Sequence, residues 1–111
     1  MEITYEDFRK VQIHIGTVLS LENNIKARQP ALVLKIDFGE AIGIKTSSAK
    51  ITHYYNLENL VGKQVVAVCN FPTKNIAGII SEVLILGAID NDGKVVLLHP
   101  TIQVKNGLAV Y

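Results

Sequence analysis

Val11, Ile13 and Ile15 alternate with Gln12, His14 and Gly16, and Thr17-Val18-Leu19 continues the run. A period of two marks a half-buried strand, with one set of side chains turned to a core. Gly16 removes a side chain in mid-strand, which permits the strong coiling of a small closed barrel. The alternation recurs at Leu32, Leu34, Ile36 and Phe38 and, beyond Gly39-Glu40, at Ile42 and Ile44. These segments predict a hairpin whose parity sets Lys35 and Lys45 together on its outer face. Like charges so placed repel, and an anion between them would relieve the cost.

Ahead of the first strand, Thr4 and Asp7 suit the N-cap and first turn of a short helix over Glu6 to Val11. Thr46 to Asn56 loses the strand period and reads as a loop with a short helical turn. Leu57 to Gly62 reads as a second turn closed by glycine. Strands are expected again at Gln64 to Phe71, Glu82 to Ile89 and Val95 to Leu98. Asp90-Asn-Asp-Gly93 forms the turn between the last two, and the tail from Val104 to Tyr111 supplies one further strand.

Two of these strands are apolar on both faces: Val65, Ala67 and Cys69 against Val66 and Val68, and Val83, Ile85 and Gly87 against Leu84 and Leu86. A barrel of this size covers inward faces alone. The outward residues therefore predict cover by the helix, the tail or a second subunit, and a symmetric homodimer is the expected arrangement.

Composition sharpens that expectation. The chain has 111 residues, 49% of them hydrophobic and only 19% charged, so apolar surface is in excess for one small domain. No internal repeat or Gly/Ser/Pro-rich linker divides it. The longest apolar runs fall far short of the roughly 18 residues of a spanning helix, and the acidic N-terminal residues do not suit a signal peptide. A cytoplasmic protein without membrane insertion is expected. A net charge of +1 exerts no global pull on nucleic acid, so any such binding rests on a local patch.

Motifs for catalysis are missing. Cys69 is the single cysteine, which excludes an intrachain disulfide and a thiolate metal cluster. His14, His53 and His99 have no metal-ligand spacing, and no cofactor is indicated. Ser47-Ser48 and Ser81 lack a nucleophile-elbow context, Asp90 and Asp92 suit an ordinary turn, and Gly39 to Gly43 matches neither a P-loop nor a dinucleotide fingerprint. A non-enzymatic protein is expected.

Binding groups are better clustered. From Asn70 to Leu86 an apolar strand runs into a Pro turn, a lysine loop, an Ile-Ala-Gly bend and a Ser-Glu step before the next strand. Asn70, Lys74, Asn75 and Ser81 lie there, and Lys45, Ser47, Ser48 and Lys50 lie at the earlier strand-to-loop junction. Ammonium groups, amides and hydroxyls of this kind contact a nucleic-acid backbone. Tyr54-Tyr55 offers a stacking face for a base, or else packing on the barrel edge.

Several ordered motifs resemble those of the free-standing tRNA-binding domain family. They are Val11-Gln-Ile-His-Ile-Gly-Thr-Val18, Lys35-Ile-Asp-Phe-Gly-Glu40, Gly43-Ile-Lys-Thr-Ser-Ser48, Leu60-Val-Gly-Lys-Gln-Val65, Asn70-Phe-Pro72, Ile76-Ala-Gly78 and Ser81-Glu-Val-Leu84. The resemblance implies an all-β, five-stranded OB-type barrel with a short N-terminal helix and a C-terminal extension, assembled as a homodimer. It implies two kinds of ligand: tRNA, bound in concert with aminoacyl-tRNA synthetases, and unfolded or presecretory polypeptides, handled by an export-chaperone branch whose partners include the export ATPase SecA. The family's tRNA-facing segment corresponds to Asn70 and to Lys74 through Val83, including Asn75, Ser81 and Glu82, with Lys45 and Ser48 on the strand-loop segment; Lys50 joins them as a binding candidate from its place at the same junction.

Overall fold

The computed structural model describes residues 1–111. Helix α1 spans Tyr5–Arg9, and Thr4 caps it as the sequence predicts. The Asp7 amide donates to Thr4 Oγ1 at 3.1 Å, and the Thr4 amide donates back to the Asp7 carboxylate at 3.1 Å. This reciprocal box satisfies donors that the first helical turn leaves free. The helix ends before Val11, earlier than the sequence pattern suggests, because Gln12 is tied to Asn70 and Cys69 at the edge of the barrel.

The barrel wall is an antiparallel five-stranded sheet, in the order β3-β2-β1-β4-β7. Its strands are β1 Ile13–Asn23, β2 Leu32–Asp37, β3 Ile44–Ala49, β4 Gln64–Val68 and β7 Leu84–Ile85, with α2 Leu57–Leu60 between β3 and β4. Two hairpins stand off the wall: β5 Lys74–Ile76 with β6 Ile79–Ser81, and β8 Gly87–Ile89 with β9 Val95–Leu97. The fold is the nearly closed, five-stranded OB-type barrel expected. Its core includes Val18, Leu21, Leu34, Ile36, Phe38, Leu60, Val65, Val83 and Leu97.

Strand β1 serves two neighbours in turn. Residues 13–17 pair with β4, residues 17–23 pair with β2, and the register shifts between Val18 and Ser20. Where β2 has turned away, the tail takes its place: Ile15 N–H donates to Leu108 O, Gly107 N–H to Ile15 O and Val110 N–H to Ile13 O. Thr17 and Gln64 both donate to the Asn106 side chain, which anchors the tail where it meets the barrel.

Gly16, not Ile15, faces the core of the barrel, which corrects the parity expected for β1. A Cβ at position 16 would lie 2.7 Å from both Ile36 Cγ2 and Phe38 Cδ1 and 2.9 Å from the Asp37 carbonyl oxygen. Ile15 is buried but lies outside the core cluster.

Four further expectations change. The β2–β3 register pairs Lys35 with Thr46 and Lys45 with Ile36, so the two lysines occupy opposite faces. The reason is the longer connection through Gly43, whose N–H donates to Gly39 O at 2.7 Å and displaces the strand start to Ile44. Thr46 to Ala49 is strand, not loop; short polar residues on both faces hide its alternation. Glu82 to Ile89 is broken, since Leu86 N–H still reaches Val66 O while Gly87 turns into β8. Lys74–Ile76 is a strand rather than a loop and pairs with Ile79–Ser81 through the expected bend, a two-residue turn with φ of 49° at Ala77 and 87° at Gly78.

The Asp90–Gly93 turn forms as expected, and the Asp90 carboxylate accepts the amides of Asp92 and Lys94, both at 2.9 Å. It also accepts the Tyr54 hydroxyl, with Lys94 Nζ 5.8 Å from the Tyr54 ring centroid. The outer apolar face is only partly covered: Val66 and Leu86 are half-buried, while Leu84 is 50% and Ile89 72% exposed.

Gly16→Ala is expected to destabilise the protein by about 1–3 kcal/mol through overpacking against Ile36 and Phe38, measured as a lower urea midpoint. The Tyr54–Asp90 contact sets a pH window. The hydrogen bond to Asp90 is the largest cause raising the Tyr54 pKa, and the same bond is the largest cause lowering that of Asp90. Their contribution is therefore complete between the ordinary carboxylate and phenol ranges. It fades as pH falls through the depressed Asp90 value or rises through the elevated Tyr54 value. Asp90→Asn should return Tyr54 toward an ordinary phenol, read as tyrosinate absorbance during an alkaline titration.

Candidate binding groove

Between β3 and the segment 81–83 the barrel closes without a continuous backbone ladder. Glu82 N–H donates to Thr46 O at 2.8 Å, and every other bond across the seam involves a side chain. Ser48 N–H donates to Ser81 Oγ at 3.0 Å, Thr46 N–H to the Glu82 carboxylate at 3.0 Å, and Ser47 Oγ to Val83 O at 3.0 Å. Ser47 is buried at 1% exposure and Ser81 at 8%, so these bonds are shielded from water. Lys45 Nζ lies 3.9 Å from the Glu82 carboxylate, a partly exposed pair worth at most about 1 kcal/mol.

A groove of about 370 Å³ opens beside this seam, lined by Ser48, Ser81, Glu82 and Val83 along its floor. Phe71, Pro72, Lys74, Ile76 and Leu84 complete its lining. Phe71 is 52% and Leu84 50% exposed, so apolar side chains stand beside polar ones in the lining. That combination suits an extended chain, whose apolar side chains find contacts while its polar backbone meets polar groups.

The groove unites five residues that the sequence singles out: Ser48, Lys74, Ser81, Glu82 and Val83. Lys45 stands next to it through Glu82, and Lys50 lines an adjoining groove. Asn70 and Asn75 are occupied elsewhere. Asn70 brackets the end of the N-terminal segment, accepting from Gln12 N–H and donating to Lys10 O. Asn75 accepts the Gly78 amide in its hairpin turn. The Ser48 hydroxyl is enclosed and has no hydrogen-bond partner.

Cys69 is half-buried. Burial pushes its thiol up to about 11 despite the opposing pull of Lys45, so it is protonated and weakly nucleophilic at neutral pH. Sequence reasoning missed Lys26 and Arg28, which the β1–β2 connection carries to the adjoining groove beside Lys50. Their signal was a basic pair before Gln29-Pro30, too short to stand out as a charge run.

The family model described as "Putative tRNA binding domain" matches residues 13–109, from the first residue of β1 into the tail. The chain belongs to that family. Methionine–tRNA ligases of Porphyromonas gingivalis and Bacteroides fragilis are 38% identical over 109 residues and 39% over 108. These alignments cover 98% and 97% of this chain but 16% of each ligase, so the chain spans about a sixth of their length.

Among solved structures, the chaperone CsaA of Bacillus anthracis is 48% identical with a TM-score of 0.93, and the alignment covers 100% of both chains. The CsaA chaperone of Picrophilus torridus is 46% identical with a TM-score of 0.92, covering 99% of this chain and 100% of the other. A MetRS-related protein of Pyrococcus horikoshii is 28% identical at a TM-score of 0.87. A likeness to chaperones and membership of the tRNA-binding family, both suggested by the sequence motifs, are thus found.

The two adjacent serines of this tRNA-binding domain should behave oppositely. Ser47→Ala leaves the buried Val83 carbonyl without its partner and should cost about 1–3 kcal/mol. Ser48→Ala removes an enclosed, unpartnered hydroxyl and should be neutral or slightly stabilising; paired urea unfolding curves compare them.

Proposed function

We propose that this protein is a CsaA-like, non-enzymatic export chaperone of the cytoplasm that holds unfolded or presecretory polypeptides and also binds tRNA. The likeness to CsaA chaperones over the whole length of both aligned chains, at 46–48% identity, carries this reading. The groove beside the β3 seam supports it, because Phe71 and Leu84 offer apolar contacts in the same lining as the Lys74 ammonium and the Glu82 carboxylate. Lys45, Ser48, Lys50, Asn70, Lys74, Asn75, Ser81, Glu82 and Val83 remain the proposed contact set; Asn70 and Asn75 contribute chiefly by fixing the backbone around the groove. No ATP-binding motif is present among these residues, so the proposed action is passive holding, with handover to an export component such as SecA.

The exposed Ile89 supports self-association, and a homodimer would double the groove for one extended ligand. A second reading, tRNA capture in trans for aminoacyl-tRNA synthetases, is favoured by the matched segment within methionine–tRNA ligases.

The test measures binding of a permanently unfolded presecretory polypeptide and of bulk tRNA to the purified protein across a salt series. Tight polypeptide binding that varies little with salt is expected, with Phe71→Ala plus Leu84→Ala weakening it about tenfold or more while the fold is retained. Polypeptide binding unaffected by that double variant rejects the groove as the site. Absence of polypeptide binding, with tRNA bound in a steeply salt-dependent way, decides for the second reading.

A further inference from the structure

We infer that the cleft between the Gly62–Lys63 turn and the segment following β9 binds a small apolar carboxylate, a ligand class distinct from polypeptide and tRNA. The cleft has a volume of about 570 Å³, within the roughly 300–1,000 Å³ of small-molecule sites. Leu60, Val65 and Leu97 line it and are 3%, 1% and 8% exposed, so its floor is continuous with the core of the barrel. The Tyr55 ring lines it beside them and packs against the same core.

Both walls are braced before any ligand arrives. Leu97 N–H donates to the Tyr55 hydroxyl oxygen at 2.8 Å, which ties the loop ahead of α2 to β9. Leu98 N–H donates to Leu86 O at 3.1 Å, and the Gln64 side chain grips Val104 twice, donating to its carbonyl at 2.7 Å and accepting its amide at 3.0 Å. The arch from His99 to Gln103 is therefore held at each end, and within it His99 Nδ1 donates to Pro100 O at 2.9 Å. On the opposite wall Gly62, at a φ of 86°, donates its N–H to Val18 O, and Lys63 N–H donates to Leu60 O, so the lysine starts from a fixed turn. A concavity so braced has little ordering cost left to meet on binding.

The polar groups of the lining suit a single negative charge. Lys63 is exposed and takes no part in either ion pair of the chain, Lys10–Asp7 and Lys45–Glu82, and no carboxylate lines the cleft. The Tyr55 hydroxyl accepts from Leu97, while its own proton has no acceptor in the chain. Gln64 and Asn59 are already engaged, Gln64 with Val104 and Asn59 with Asn56 and Tyr54, so they shape the cleft more than they bind. An ammonium and an uncommitted phenol O–H around an apolar floor match a carboxylate carried on an apolar, aromatic body. A single lysine does not balance a polyanion, which sets this cleft apart from the one lined by Lys26, Arg28 and Lys50.

The test titrates naphthoate and naphthamide, alike in shape and different in charge, into the purified full chain, followed by ligand fluorescence and by the backbone amide signals in NMR. Naphthoate should bind the unaltered protein about fivefold more tightly than naphthamide. Lys63→Gln should abolish that preference and leave naphthamide within about twofold of its affinity for the unaltered protein. Lys74→Gln, an equal loss of charge in the groove beside β3, should leave both probes within about twofold. The amide signals that move should include those of Gly62, Lys63 and Thr101.

Absence of binding by either probe, or equal affinity for both, overturns the inference. Weakening by Lys74→Gln as great as that by Lys63→Gln, with amide shifts at Phe71 and Leu84, overturns it in favour of the groove beside β3. Loss of naphthamide together with naphthoate in Lys63→Gln overturns it in favour of a structural role for the lysine. Each of these results leaves the polypeptide and tRNA readings where their own titrations put them.

Discussion

The seam between β3 and residues 81–83 is the constraint from which the arrangement of the candidate site follows. A barrel of five short strands must close, yet only one backbone bond bridges the gap, from Glu82 N–H to Thr46 O. Side chains complete the closure, through Ser81, Ser47 and the Glu82 carboxylate. Such bonds leave the two segments splayed enough for a groove to open beside them while the floor is fixed by shielded polar contacts. A full ladder at this place would seal the wall.

Two further devices keep the barrel coiled around that seam. Gly16 lets β2 and the start of its exit loop approach β1 at distances no side chain would permit. The tail occupies the stretch of the β1 edge that this coiling exposes, held by Asn106 and by the bridge between His14 and Ala109. The family match ends at residue 109, within this docked segment, in keeping with a tail that belongs to the barrel.

Charge is distributed unevenly although the total is only +1. The apolar-flanked groove carries its own carboxylate, and Lys45 is drawn to it. The adjoining cleft has cations alone. Two neighbouring surfaces of different chemistry thus share one ridge, formed by Ser48 and Ile76.

Local signals in the sequence determined a good deal. The Thr4–Asp7 cap, the inward run Leu32, Leu34, Ile36 and Phe38, and the Asp90–Gly93 turn each depend on residues within a few positions of one another, and each forms as expected. Ordered motifs along the chain were enough to indicate the family and the barrel. Tertiary structure alone decided the rest. The faces of Lys35 and Lys45 hinge on the length of a turn, because a slip of one residue in register exchanges the two sides of a strand. Thr46 to Ala49 became a strand because it pairs along one edge with Leu32 to Lys35, while partners some 35 residues away satisfy polar groups on its other edge. Lys26, Arg28 and Lys50 came together because a buried Asn24 fastens one loop to a hairpin some fifty residues distant. Contacts of that span are set by closure of the barrel, and no local pattern of hydrophobic and polar residues encodes them.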